Sequence, residues 1–390
     1  MDPSCVLPIE LLSKIFGHHL TDGEIPVQLF DFSNGLWVLG KVSSAWRCTA
    51  NSSQSLWSTI TITKAFPTCD FRKDTPPLSD RSLVSQKNAS KIRKEILTEI
   101  LRCSGSCPLT LSISFPIHIQ DREDIPISDQ SLCAVLTAHS HRWQFVQFMG
   151  HPCLWDHFLD IPSFRLQSLR KLNARVGDMA ALGQVARLCP GLVELVTFVS
   201  KGEYTLGRIK MPALEYLLLK GNIGTLDCIS TPHLESLRII SDLSHMSCTK
   251  KYSDPSGSHI LEFLRHSKCL VHTMNIKWHG THDDLATILS LMLSLESLGC
   301  HMPFNRAFLE SIPSLIPNLH TLTLSFHPIS FPDVKLIFDM VESRLAGGIL
   351  KCIHTRQVGK NIIKMFAERL ATLNELPDVS VRLGDTSGSS

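Results

Sequence analysis

The chain has 390 residues, 38 Lys and Arg against 36 Asp and Glu, and a formal charge of +2, a balance that sets nucleic acid low among its expected partners. No stretch approaches the roughly eighteen apolar residues that span a bilayer, and no basic, then apolar, then small-residue leader opens the sequence. The thirteen cysteines are odd in number and never spaced C-x-x-C, so neither a disulfide framework nor a zinc ribbon is written here; they read as small apolar residues of a reducing compartment, cytoplasm or nucleus.

The first element is "VLPIELLSKIFGHHL", residues 6–20. Pro8 suits a first helical turn and Glu10 favours its electropositive end, while Leu7, Leu11 and Ile15 stack at four-residue spacing with Ile9 nearby. Leu12 and Phe16 make a second stripe. Two stripes cover more surface than a single core contact requires, so this helix is expected to face both its own module and another protein. After a loop over 22–35, the spacing of Val38, Val42 and Trp46, with Leu39 beside them, predicts a second helix. A third short element ends at Leu56-Trp57. Residues 63–90 turn polar around Pro76-Pro77 and read as a linker.

Beyond it a helix is predicted over 90–103, with Ile92, Ile96 and Ile100 on one face, then a strand at "PLTLSISF", a helix over 131–139 and a strand over 142–148. From there one phrase recurs in forms such as "LRKLNA", "LVELVTF", "PALEYLLL", "PHLESLRI", "LESLGC" and "PNLHTLTL", each close to L-x-x-L-x-L. Its middle apolar residues are Val146, Leu172, Leu195, Leu217, Leu237, Met274, Leu298 and Leu322, at intervals of 26, 23, 22, 20, 37, 24 and 24. All but one fit the period of leucine-rich repeats, and the long interval holds a polar insertion over 241–258. Alternate residues of a short strand face one side, so these leucines point into a core that one repeat cannot close and stacked neighbours can. Helical runs lie between the phrases, except at the repeats of Leu217 and Leu237, whose intervals of 22 and 20 leave room only for turns or 3₁₀ segments. The fold expected is α/β: an N-terminal helical module at 1–62, and over 91–375 a leucine-rich-repeat-like solenoid with a curved parallel sheet, followed by a disordered tail at 376–390.

Chemistry of the common kinds is not written in the chain. The Gly-Lys of "RQVGKNIIK" has His354 where a phosphate-binding loop needs Gly, and Asn361 where Ser or Thr would meet magnesium. His279, His282, Asp283 and Asp284 read as a loop and helix cap, and "HPCLWDHF" as packing of Leu154, Trp155 and Phe158. No cofactor, metal or catalytic residue is expected. In the repeat strands the residues between the core leucines form an outward row, Gln147, Asn173, Val196, Leu218, Arg238, Asn275, Gly299 and Thr323, flanked by Lys171, Arg175, Lys220 and Lys277. This mixture of apolar and basic positions suits a protein partner with an apolar anchor and acidic neighbours.

Read together, "LPIELLSKIF", "VSSAWR" at 42–47 and "LW" at 56–57 resemble the F-box in the form found in mushroom-forming fungi, L-P-x-E-L-L-x-x-I-F, then V-C-x-x-W-R, then L-W. "RCSGSCPLTLSI" and "HSHRW" are similar to phrases that follow the F-box in that group, ahead of leucine-rich repeats. Ser43 stands where the pattern has Cys, and the 22–35 loop is longer than the compact domain has. The resemblance implies a three-helix F-box that docks on the Skp-type adaptor of a cullin-RING ubiquitin ligase through Leu7, Pro8, Ile9, Leu11, Leu12, Ile15, Phe16, Val42, Trp46, Leu56 and Trp57, Trp46 and Trp57 being partly structural. The repeats would then hold a protein substrate, with Gln147, Asn173, Val196, Leu218, Lys220, Arg238, Asn275 and Lys277 as the candidate contacts. Two alternatives stay open at this level: a repeat scaffold that works without any ligase, and an N-terminal segment that merely caps the solenoid.

Overall fold

The computed structural model describes residues 7–21, 27–28, 32, 36–63, 80–114, 127–149, 158–159, 166–199, 207–240, 256–278, 280–302, 305–325, 335–336, 338–340, 342–343, 352–358, 364, 366–375 and 380–385. The 241–255 part of the insertion, most of the 22–35 loop, residues 64–79, the "HPCLWDH" stretch, His279 and the last five residues lie outside these. The chain divides into two units, Met1–Leu192 and Val193–Ser390.

The first unit opens with α1 (Ile9–Thr21) and a short strand β1 (Val27–Gln28), followed by α2 (Leu36–Val42) and α3 (Ser44–Ser52). The second helix expected from Val38, Val42 and Trp46 is in fact two. Ser43 breaks it: its extended backbone leaves the helix, and its hydroxyl accepts from the Trp46 N–H at 3.2 Å, capping α3. A 3₁₀ turn, Gln54–Trp57, leads straight into β2 (Thr59–Thr63). This strand lies inside the stretch assigned to the helical module, yet it pairs in parallel with β1 and with β3 (Leu109–Ser114). β2 therefore lies some fifty residues ahead of "PLTLSISF", the first strand expected from the sequence, because "TITIT" has strand alternation without the leucines that mark the phrase.

The linker is also shorter than 63–90, since α4 runs Asp80–Cys103. Its buried stripe is Leu97, Ile100 and Leu101, and Ile92 is exposed, so the expected isoleucine face is rotated. Next come α5 (Ile127–Ala138), β4 (Trp143–Met149), β5 (Lys171–Val176) and α6 (Met179–Leu188), the last capped by the Asp178 carboxylate on the Ala181 N–H. In this unit β1, β2, β3, β4 and β5 pair in that order, every pair parallel.

The second unit carries β6 (Glu194–Val199), β7 (Ile209–Lys210), β8 (Tyr216–Gly221), β9 (Ile229–Ser230), β10 (Ser236–Ile240), α7 (Ser256–Ser267), β11 (Thr273–Lys277), α8 (His282–Ser290), β12 (Ser297–His301), α9 (Arg306–Leu315), β13 (Thr321–Ser325), β14 (Cys352–Val358), α10 (Ala367–Asn374) and β15 (Ser380–Asp385). Strands β6, β8, β10, β11, β12, β13, β14 and β15 form one parallel run, and β7 pairs with β9 beside it. Parallel neighbours need a crossover, and helices supply it where the spacing is long. Between β8 and β10 the spacing is short, and a 3₁₀ segment, Ile223–Cys228, does the work. The stretch 376–390 is not all tail, because β15 lies within it.

Register follows the leucines. Leu195, Leu217, Leu237, Met274, Leu298, Leu322 and Ile353 face one another strand by strand, and the first six are almost wholly buried. Two residues on, Leu219, Ile239, Ile276, Cys300 and Leu324 form a second buried row. The molecule is thus mixed α/β with a long parallel sheet, as a strand–helix alternation at this period demands.

Candidate functional site

Two surfaces carry the residues singled out in the sequence. The first is built on α1. Leu12 is 2% exposed and Phe16 fully buried, and the Phe16 ring sits 5.0 Å from that of Trp46 on α3. Leu11 and Ile15, one residue earlier in each case, are 47% and 48% exposed, and Leu7, Pro8 and Ile9 are exposed as well. Successive helical residues are about 100° apart, so a four-residue repeat started one position earlier lands on the opposite side of the stripe boundary. On α2 the inward pair is Leu36 and Leu39, while Val38 and Val42 are exposed, Val42 to 57%. Leu56 and Trp57 are buried, and the Trp57 indole N–H donates to the Ala50 carbonyl at 2.7 Å while its ring meets Trp37 edge-on.

Of the eleven residues named for this surface, Leu7, Pro8, Ile9, Leu11, Ile15 and Val42 are therefore on the outside and Trp46 is half-buried. Leu12, Phe16, Leu56 and Trp57 are instead buried residues of the first unit. Val38 was missed as an outward residue because the break at Ser43 was not foreseen, although a Ser three residues ahead of a helical Trp was the signal available.

The second surface is the outward side of the strands. In the first unit Gln147 pairs with Asn173, and Ser112 flanks Gln147 on its other side. In the second unit Val196, Leu218, Arg238, Asn275, Gly299 and Thr323 are brought together as one row, each opposite the next. Lys220 and Lys277 stand two residues further along, on either side of Ile240. Lys220, Arg238 and Asn275 are exposed and Val196 is half-buried, but Leu218 is only 7% exposed, which leaves it little surface to offer. The Asn275 side chain lies over Gly299, where an added Cβ would fall 2.8 Å from its Nδ2.

Several thiol and imidazole groups are engaged in structure. Burial pushes the Cys189 and Cys300 thiols up to about 12 and Cys269 to about 11, far from the range of a reactive thiolate. His259 Nδ1 meets Asp227 Oδ2 at 2.6 Å, tying α7 to the 3₁₀ segment. In "HGTHDD" Thr281 caps α8 by accepting from the Asp284 N–H at 3.1 Å, so the acidic pair sits in a first helical turn. Among the described residues no three His, Cys, Asp or Glu gather as metal ligands, and no helix is long and apolar enough to cross a membrane.

The phrases "RCSGSC" and "HRW" meet in space. Arg142, 8% exposed, donates from Nε to the Cys107 carbonyl at 3.0 Å and from Nη2 to the Ser104 hydroxyl at 2.8 Å and the Cys107 carbonyl at 2.7 Å. Gly105 holds φ at +54° in that turn, and a Cβ there would run into the Gln54 amide from the 3₁₀ turn before β2. No family model matches the chain, and no curated protein does.

Proposed function

We propose that the chain is a substrate-receptor subunit of an SCF-type cullin-RING ubiquitin ligase, with an F-box in its first sixty residues docking a Skp-type adaptor and a leucine-rich-repeat body holding a protein substrate. The observation that carries this reading is the division of α1. A helix that only capped a repeat array would bury its apolar face, yet Leu7, Leu11 and Ile15 stay at the surface beside a separate interior stripe of Leu12 and Phe16. The order of "LPIELLSKIF", "VSSAWR" and "LW" supports the same reading. The chain itself would supply proximity and orientation rather than chemistry, with transfer of ubiquitin performed by other subunits.

Interior and surface stripes call for different mutants. Replacing Leu12 and Phe16 by Ala opens a cavity of the kind that costs about 2–5 kcal/mol per residue and unfolds the module, so loss of binding there is uninformative. Leu7, Leu11 and Ile15 replaced together by Ser leave the interior intact. In copurification of the full chain with the adaptor, this triple variant should bind at least about a hundredfold more weakly than wild type, since apolar anchors carry about 1–3 kcal/mol each. Wild-type affinity in the triple variant, or no adaptor binding by the wild-type chain, contradicts the assignment.

A further inference from the structure

Charge on the outward face of the second unit is segregated along the strands. The positions where the strands start carry Glu194, Tyr216, Ser236, Thr273, Ser297 and Thr321, with no cation among them. Two and four residues on, the same strands carry Arg238, Lys220, Lys277 and His301, and no carboxylate. Register places His354 and Arg356 of β14 and Arg382 of β15 in continuation of those two rows. Lys220 and Arg238 are exposed, and among the described residues neither forms an ion pair. At the β6 side this basic band runs into Val196 and Phe198, both half-buried, with Ile240 between the two lysines.

We propose that this face binds an extended acidic protein segment in which one apolar residue is followed by carboxylates at the second and fourth positions. The proposal deepens the reading of the second unit as the substrate-holding part. Neighbouring strands lie about 4.8 Å apart, so from a point between β6 and β8 it is about 7 Å to β10 and about 12 Å to β11. An extended chain crossing the strands advances about 3.4 Å per residue and turns every second side chain to the same side. An apolar residue seated between β6 and β8, on the β8 side of Val196 and Phe198, thus brings the second residue after it to Arg238 and the fourth to Lys277, with Lys220 between the anchor and the first carboxylate. Guanidinium at the middle position favours a carboxylate through paired N–H donors. The neighbours argue against a single-stranded nucleic acid, which asks for a run of aromatic platforms along the cations, where this band offers Phe198 alone with Val196, Leu218 and Ile240, and Tyr216 stands at the strand-start end.

The test uses the full chain and a fluorescent peptide Gly-Ser-Leu-Ser-Glu-Ser-Glu-Ser-Gly, read by anisotropy at about 50 mM salt, where exposed charges are least screened. It should bind at least about tenfold more tightly than the same peptide with both Glu replaced by Lys, and more tightly than one with Leu replaced by Ser. The double variant Lys220→Glu, Arg238→Glu should invert the preference between the acidic and the lysine peptide. Thr273→Glu, which adds charge at the strand-start end of the same face, should leave it unchanged. Equal affinity for the acidic and lysine peptides, an unaltered preference in the double variant, or displacement of the peptide by a single-stranded oligonucleotide at lower concentration than by unlabelled peptide would each overturn the proposal. Adaptor copurification of the double variant is read separately and should stay at wild-type level, so failure of the peptide result leaves the F-box reading standing and the reverse also holds.

Discussion

Ile15 and Phe16 are adjacent in sequence and lie on opposite sides of a boundary that decides their roles. Phe16 is locked against Trp46 in the interior, and Ile15 is free to meet a partner. Both stripes are legible in the sequence, but not which faces inward, because both are apolar and the decision is made by Trp46 and Ser53, some thirty to forty residues further along; the Ser13 and Ser53 hydroxyls are 3.0 Å apart. Arg142 shows the same limit from the other direction. Nothing in its local sequence marks it as interior, yet it spends its donors on backbone carbonyls 35 and 38 residues away. Burial draws its guanidinium below the usual arginine range. Arg142→Met keeps the apolar stem and strands those acceptors, so urea denaturation of the full chain should show a loss of about 2–3 kcal/mol in the transition of the first unit. An unchanged midpoint would mean that water replaces the guanidinium at no cost.

At the scale of elements, what could be read was whatever repeats. The interval between core leucines is a property of the chain and survives into register, so β5, β6, β8, β10, β11, β12 and β13 fall on the phrases that named them. Strands β2, β14 and β15 carry no full phrase: β2 and β15 have Ile60 and Val381 at the pairing position but Trp57 and Asp378 where the phrase has its leading leucine, and β14 has Leu350 ahead of Ile353 but Thr355 where the second strand leucine would stand. Their strand state comes from the edge of the neighbouring strand, which is tertiary information. β15 pairs with β14 and shields its outer edge. Ending the chain after residue 379 should therefore raise amide exchange throughout β14 while leaving β8 and β10 at native protection, measured by mass spectrometry. Unchanged exchange in β14 would show that β15 contributes nothing to the edge.

In the whole molecule the two surfaces fall in different units: exposed apolar residues of α1 and α2 in the first, a basic outward band in the second. The class α/β and the repeat period were legible because they are statements about spacing. The division at Leu192 was not, since the leucine phrases continue through it without a change of rhythm. The proposed function rests on resemblance, because adaptor docking would depend on which apolar residues remain outside after folding. The measurement that bears on this most directly is a hydrogen-exchange footprint of the full chain with and without a Skp-type adaptor. Binding should slow exchange over 9–18 and 36–47, the segments that present Leu11, Ile15, Val38 and Val42, and leave the strands between 194 and 325 unchanged. An adaptor that leaves α1 and α2 unprotected, or protects the second unit instead, would contradict the account.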